Sequence, residues 1–306
     1  VGVFAATRTF KSWIRYSNGN SEVRYDWKHD ARGMAIKLTN VDGQKLVSDF
    51  PEQSTQDFVM INHPVFFVDN PVQYAETLKV FHSGLGFETL AQVLSIAKLP
   101  LANAELALLV NGSQIRSPLR EPYWSMTPYR LGRGHAVKFA AIPVTCGEEN
   151  SLPRDRAAQV DWIANAKSMN KAIPVLPQLG RDALRQAMQA TLEEEHEDVC
   201  FLFALQPHVD ASRTPIEQST VNWDGASAFV PVANIRIPAQ KFSSLEEDTF
   251  CDDMTFTPWH ALPEHKPLGV VNRTRLVVYA ATSKLRREGN AVKSSALDGP
   301  TGDESF

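Results

Sequence analysis

The chain has 306 residues, of which 43% are hydrophobic, and carries a net charge of −4 at pH 7. That length supports one large soluble domain with a sizeable core. The charge balance leaves no basic footprint for nucleic acid, and no apolar run approaches the roughly 20 residues that cross a bilayer.

The first third reads as strands. Ser12–Ser17, Gly33–Leu38 and Asp57–Asn62 are short and β-rich, and Asn18-Gly19 and Asp42-Gly43 supply turn signals. From Pro71 to Leu109 the pattern turns helical, with Leu78, Phe81, Leu85, Leu90 and Leu94 interrupted at Gly84, Gly86 and Pro100. His135–Val144 alternates as a long strand, and Arg154–Ala166 is a polar helix. Arg181–Glu195 is an amphipathic helix with Leu184, Met188 and Leu192 on one face, and the acidic run from Glu193 to Asp198 is its solvated end. Val199–Leu205 and Phe229–Ile237 are strands. Strands, inserted helices, more strands and a terminal helix make an α+β fold over residues 1–287, followed by a disordered polar tail at 288–306.

The segment from Asn272 to Arg286 carries the most chemistry. Arg275 and Tyr279 are spaced i,i+4, so on a helix they share one face, and Arg286 returns to it two turns later. A tyrosine beside a guanidinium can ionise below its free pKa of about 10, and tyrosinate is an axial ligand for haem iron. An ordinary half-buried tyrosine between solvated arginines has the same spacing. Arg15 lies on a strand expected to face inward, where a guanidinium needs an anionic partner. His63, His260 and His265 do not form a compact metal-ligand spacing. The three cysteines, Cys146, Cys200 and Cys251, are scattered and odd in number. They suggest neither a zinc site nor a disulfide framework, and fit a reducing, cytoplasmic compartment.

Four segments in order resemble the haem catalase superfamily. Arg275-Leu276-Val277-Val278-Tyr279, with Arg286 seven residues beyond the tyrosine, looks like the proximal haem helix. Trp13 to Gly19 looks like the strand carrying a propionate-binding arginine followed by a serine. Asp30 to Lys37 is similar to the D-x-R-G-x-A-x-K segment, and Asn62 to Val68 to the distal N-x-P-x-F-F run. Phe256 to Pro263, followed by Lys266-Pro267-Leu268-Gly269, looks like a divergent catalase-like branch of that superfamily, which also includes allene oxide synthases.

The resemblance implies an antiparallel β-barrel of the catalase type with inserted and C-terminal helices. It implies haem b held through iron by Tyr279, with Arg275 bonding the phenolate, Arg15 and Arg286 binding propionates, and Phe66 lining the pocket. Catalytic roles fall to Asn62 as the distal amide, Ser17 as a partner of the distal imidazole, and Arg275. Aligning the proline and the two phenylalanines without gaps puts the distal position on Ile61 instead, and one residue in a strand reverses the face. The distal histidine is expected upstream of the segment resembling Val1 to Phe4, on an N-terminal arm through which family members often form homo-oligomers. The implied reaction is breakdown of hydrogen peroxide or small organic peroxides. The alternatives are fatty-acid hydroperoxide rearrangement of the allene oxide synthase type and a non-catalytic haem-binding protein.

Overall fold

The computed structural model describes residues 1–20, 25–47, 54–75, 114–148, 151–173 and 180–289. Its eight strands are β1 (Ser12–Asn18), β2 (Arg32–Leu38), β3 (Gln56–Ile61), β4 (Tyr123–Trp124), β5 (Tyr129–Arg130), β6 (Ala136–Val144), β7 (Val199–Pro207) and β8 (Val230–Ile237). They form one antiparallel sheet in the order β1-β2-β3-β4-β6-β7-β8, with β5 added on β6. The sheet curls into a half-barrel with helices around it, an α+β arrangement. Among the described residues β1 and β8 do not pair, so the expected barrel stays open between them.

The alternation of side chains sets the register. Met34, Ile36, Phe58, Met60, Phe139, Phe201 and Phe203 fall at every second position and fill the concave face. The Phe58 ring lies 5.2 Å from Phe139 and 4.9 Å from Phe203, both edge-on. Burying a side chain of that size contributes about 1.5–3 kcal/mol, so a one-residue slip would cost several such terms at once. The convex face is covered too, and β2 is buried along nearly its whole length.

Helix α1 (Arg156–Ala172) starts where the Asp155 carboxylate accepts the Ala158 amide at 2.9 Å. Its Ile163 packs with Trp124, Ala140, Ile142 and Leu202 on the convex face. The expected helix at 181–195 is α2 (Ala183–Gln189) running into a wider turn at Ala190–Glu194. Helix α3 (Leu245–Asp253) opens on a reciprocal cap between Ser244 and Glu247. Helix α4 (Gly269–Gly289) carries the Arg275 and Tyr279 segment. Gly269 enters it at φ +83°, where an added Cβ would also meet the Ile216 carbonyl at 2.6 Å.

One cysteine expectation is corrected. Cys146 and Cys200 form a disulfide joining the chain just after β6 to the start of β7, and Cys251 is the free thiol. Antiparallel pairing sets Cys200 opposite Val144, two residues from Cys146, which brings the two sulfurs together. No helix among the described residues is long and apolar enough to cross a membrane. The helices expected after residue 75 as far as Leu109, and the tail beyond 289, lie outside the described residues.

Candidate functional site

Helix α4 brings Arg275 onto Tyr279 as the i,i+4 spacing requires. Arg275 Nη2 donates to the Tyr279 hydroxyl at 3.2 Å, and the guanidinium carbon sits 5.2 Å from the ring centroid. The other terminal nitrogen faces Asn272 Oδ1 at 3.1 Å and the hydroxyl oxygens of Thr127 and Tyr129 at 3.4 Å each. Burial works against the Arg275 charge, but the oxygens of Tyr279 and Tyr129 outweigh it and hold the guanidinium more firmly protonated than usual. Among the described residues Arg275 has no carboxylate partner, so its charge serves two phenols. Asn272 was legible as an i−3 neighbour on the same helix face, whereas Thr127 and Tyr129 lie far off in sequence.

Arg15 and Arg286 converge on consecutive residues of one segment. Arg15 Nη1 donates to the Met254 carbonyl at 2.9 Å and to that of Cys251 at 3.4 Å, with its guanidinium 4.6 Å from the Phe256 ring centroid. Arg286 Nη2 donates to Thr255 Oγ1 at 3.0 Å, and Ser283, one turn earlier on α4, lies 3.0 Å from the same hydroxyl. Among the described residues Arg15 has no carboxylate partner either. The resemblance pointed to both arginines, but no pattern in the chain singled out Thr255 between them.

The sheet register sorts the remaining positions. Arg15 pairs with Ala35 and Ala35 with Val59, while Ser17 pairs with Gly33, Gly33 with Ile61 and Ile61 with Trp124. Cross-strand partners share a face, so Arg15, Ser17, Val59, Ile61 and Trp124 occupy one side of the sheet. Gly33 lets Ser17 in, since a Cβ there would overlap the Ser17 hydroxyl. Asn62 lies outside this row, just past the end of β3. Its Oδ1 accepts the Arg32 amide at 2.8 Å, and its Nδ2 faces buried Glu121 at 3.3 Å. Asn62, the expected distal amide, is thus engaged with Arg32 and Glu121, while Ile61, the position that the gap-free alignment gives, falls in the row. The network continues to Lys167, which donates to the Asn62 carbonyl at 2.9 Å, and to Asn170, which donates to Glu121 at 2.8 Å.

Phe66 packs at a tilt against Phe67 at 4.6 Å and against Tyr74 at 5.5 Å, with Phe67 the more deeply buried of the pair. The Tyr74 hydroxyl is pushed above its usual pKa by burial and then by Tyr279, so this aromatic cluster lies within electrostatic reach of Tyr279. The histidines do structural work. His265 Nε2 accepts the Val3 amide at 3.0 Å, His260 Nδ1 lies 3.0 Å from Asp57, and His63 Nδ1 lies 3.2 Å from the Val65 carbonyl. Among the described residues no three His, Cys, Asp or Glu side chains cluster as metal ligands. An open depression of about 460 Å³ lined by Arg130, Gly132, Arg133, Gly134, Pro263 and Glu264 shares no residue with the Tyr279 cluster.

No protein-family model and no curated protein sequence matches the chain. Solved structures do. A fungal catalase superposes with a TM-score of 0.63 at 14% identity, over 96% of this chain and 58% of that one. Catalase A from Saccharomyces cerevisiae gives 0.62 at 16% identity, over 96% and 60%. A bacterial catalase gives 0.62 at 14% identity, over 98% and 54%. The chain therefore spans between 54% and 60% of the length of these catalases.

Proposed function

With the catalase fold as the premise, we propose that the chain is a haem-binding oxidoreductase that breaks down hydrogen peroxide or small organic peroxides. The observation that carries this reading is the Arg275–Tyr279 pair, a phenol and a guanidinium 3.2 Å apart with no carboxylate among the described residues competing for the charge. That donor set fits a tyrosinate ligand, because the guanidinium stabilises the anion and sets how much charge the phenolate oxygen gives away. Arg15 and Arg286, gathered on Met254 and Thr255, fit the two carboxylates of a haem. Phe66 and the Phe67–Tyr74 cluster supply an apolar wall.

When bound, haem would supply ferric iron that takes up a peroxide and cleaves its O–O bond. The chain's own part is to hold, orient and exclude water. Tyr279 would hold the iron, with Arg275 orienting its phenolic oxygen through the 3.2 Å hydrogen bond. Arg15 and Arg286 would hold the haem carboxylates through charge-assisted hydrogen bonds. Val59 and Ile61 would form an apolar surface on the sheet side, with the Ser17 hydroxyl as the polar atom in their row and Trp124 beside them under Ile163 of α1. The iron ligand and the carboxylate partners would thus come from α4 and β1, and the Ser17 hydroxyl would orient an imidazole that moves a proton.

That apolar row favours a second reading. With Ile61 where the resemblance expected an amide, the surface suits the tail of a lipid hydroperoxide and its rearrangement without an external reductant. The test is haemin-loaded protein given hydrogen peroxide, with oxygen release followed, and a fatty-acid hydroperoxide, with products identified without reductant. Oxygen release supports the first reading, and an isomerised lipid supports the second. Haem-loaded protein inert to both would leave a haem-binding protein without turnover.

A further inference from the structure

The two arginines set on Met254 and Thr255 depend on a segment with no regular structure of its own, since residues 254–257 are neither helix nor strand. Such a segment holds position only through its bonds to rigid neighbours. Those bonds converge on one buried carboxylate. The Asp57 side chain on β3 is fully buried, and its Oδ2 accepts the Thr257 backbone amide at 3.0 Å. The same oxygen lies 3.0 Å from His260 Nδ1, and the Asp57 amide donates to the His260 carbonyl at 2.8 Å. Its charge is met by Lys37, the cross-strand partner on β2, with Nζ 2.8 and 3.0 Å from the two carboxylate oxygens. The Lys37 ammonium also lies 5.1 Å from the Phe256 ring centroid, the ring over which Arg15 is stacked at 4.6 Å.

We propose that Asp57, neutralised by Lys37 and bridged to His260, is the positioning residue for the anion-binding arginines, locking segment 254–257 to the sheet so that the Met254 carbonyl and the Thr255 hydroxyl aim Arg15 and Arg286 at two carboxylates. The inference rests on the haem reading above. A surface loop bonded to water would let both guanidinium groups swing and would lose the planar fork geometry that bidentate recognition needs. A buried pair spanning β2 and β3 does not exchange partners with solvent, and Asp57 fixes the segment through its side chain and its amide together. Trp259 ties the far end of the same stretch to α4, donating from Nε1 to the Asn272 carbonyl at 2.8 Å, so the segment is held between the sheet and the helix that carries Tyr279.

The experiment compares binding of haemin with binding of its dimethyl ester, which has the same ring and iron but no free carboxylates. The proteins are the wild-type chain, the double variant K37M/D57N, which removes the buried pair without stranding one charge, and Thr255→Val, which removes only the hydroxyl under Arg286. The wild-type chain is expected to prefer haemin over the ester by about tenfold or more, as for charge-assisted bonds to carboxylates. Both variants are expected to lose most of that preference while still binding the ester as the wild type does. A merely structural role would weaken both ligands alike. Equal weakening, or an unchanged preference, in both variants overturns the positioning role and leaves the haem reading standing. A wild-type chain that binds neither ligand removes the reading and the inference with it.

Discussion

Breaking the Cys146–Cys200 disulfide tests the register of β6 and β7, which underlies the convex face. The bond closes a loop with a sequence separation of 54 residues. In the chain-entropy description, freeing a loop of that length returns to the unfolded state about 14 cal/mol/K, or about 4 kcal/mol at 25 °C. That figure is an upper one, because β6 and β7 pair over eight positions and residual hairpin contacts would shorten the loop in the unfolded chain. Against a total stability of about 5–15 kcal/mol for a domain, the loss is large. Cys146 is exposed and Cys200 is buried, so a reductant must attack at Cys146. Urea unfolding of the wild-type chain with and without reductant, beside Cys146→Ser, measures the effect. The expected result is one titratable thiol, Cys251, in the oxidised denatured chain, and a lower midpoint in the reduced protein and in the variant. Three titratable thiols and identical midpoints would refute the pairing and the register that brings these sulfurs together.

Asn62→Ala should lower stability by about 1–3 kcal/mol, since it leaves the Arg32 amide and buried Glu121 short of a partner, while the spectrum of the haemin complex stays as in the wild type. A changed spectrum with unchanged stability would instead place the amide beside the ligand. Gly33→Ala should cost about 1–3 kcal/mol by thermal unfolding through overlap with the Ser17 hydroxyl, and Ser17→Ala in the same chain should recover most of it. Additive losses would contradict the close approach of β1 and β2 there. Burial lowers Lys138 to a pKa of about 7, with Asp224 and Asp69 opposing the shift. Its folded value lies below its unfolded one, so the unfolded chain binds the extra proton between about pH 7 and 10. This group therefore raises stability with pH over that window, by at most about 1.4 kcal/mol per pH unit. Urea unfolding at pH 7 and pH 9 should show a larger gain for the wild type than for Lys138→Met, and equal gains would show that burial does not lower the Lys138 pKa.

The legible parts of the fold were those set by local periodicity. The long strands alternate with period 2 and end at turn residues, and α4 carries its stripe at helical spacing, so both could be read from the chain. Strands β4 and β5 have two residues each, too short for any alternation to show. Helix α3 did carry a signal, the Ser244 and Glu247 capping pair, ahead of a stretch too polar to read as amphipathic. At the candidate site, the Arg275–Tyr279 contact followed from spacing alone, because a helix turns i,i+4 into proximity. Asn62 and Ile61 could not be told apart in the chain, because β3 ends between them and position relative to a strand end decides the face. The disulfide was hidden by an odd cysteine count, since the pairing depends on where β6 meets β7. The contact between Asp57 and His260 spans 203 residues and joins a strand to an irregular segment, which no local pattern encodes.

The most direct test of the central claim is the absorption spectrum of the purified chain titrated with haemin, beside Tyr279→Phe. The account expects uptake of one haem with a ferric spectrum of the phenolate-ligated type, and loss of that spectrum in the variant even if some haem still binds through Arg15 and Arg286. Identical spectra for the two proteins, or no haem uptake by the wild-type chain, would contradict it.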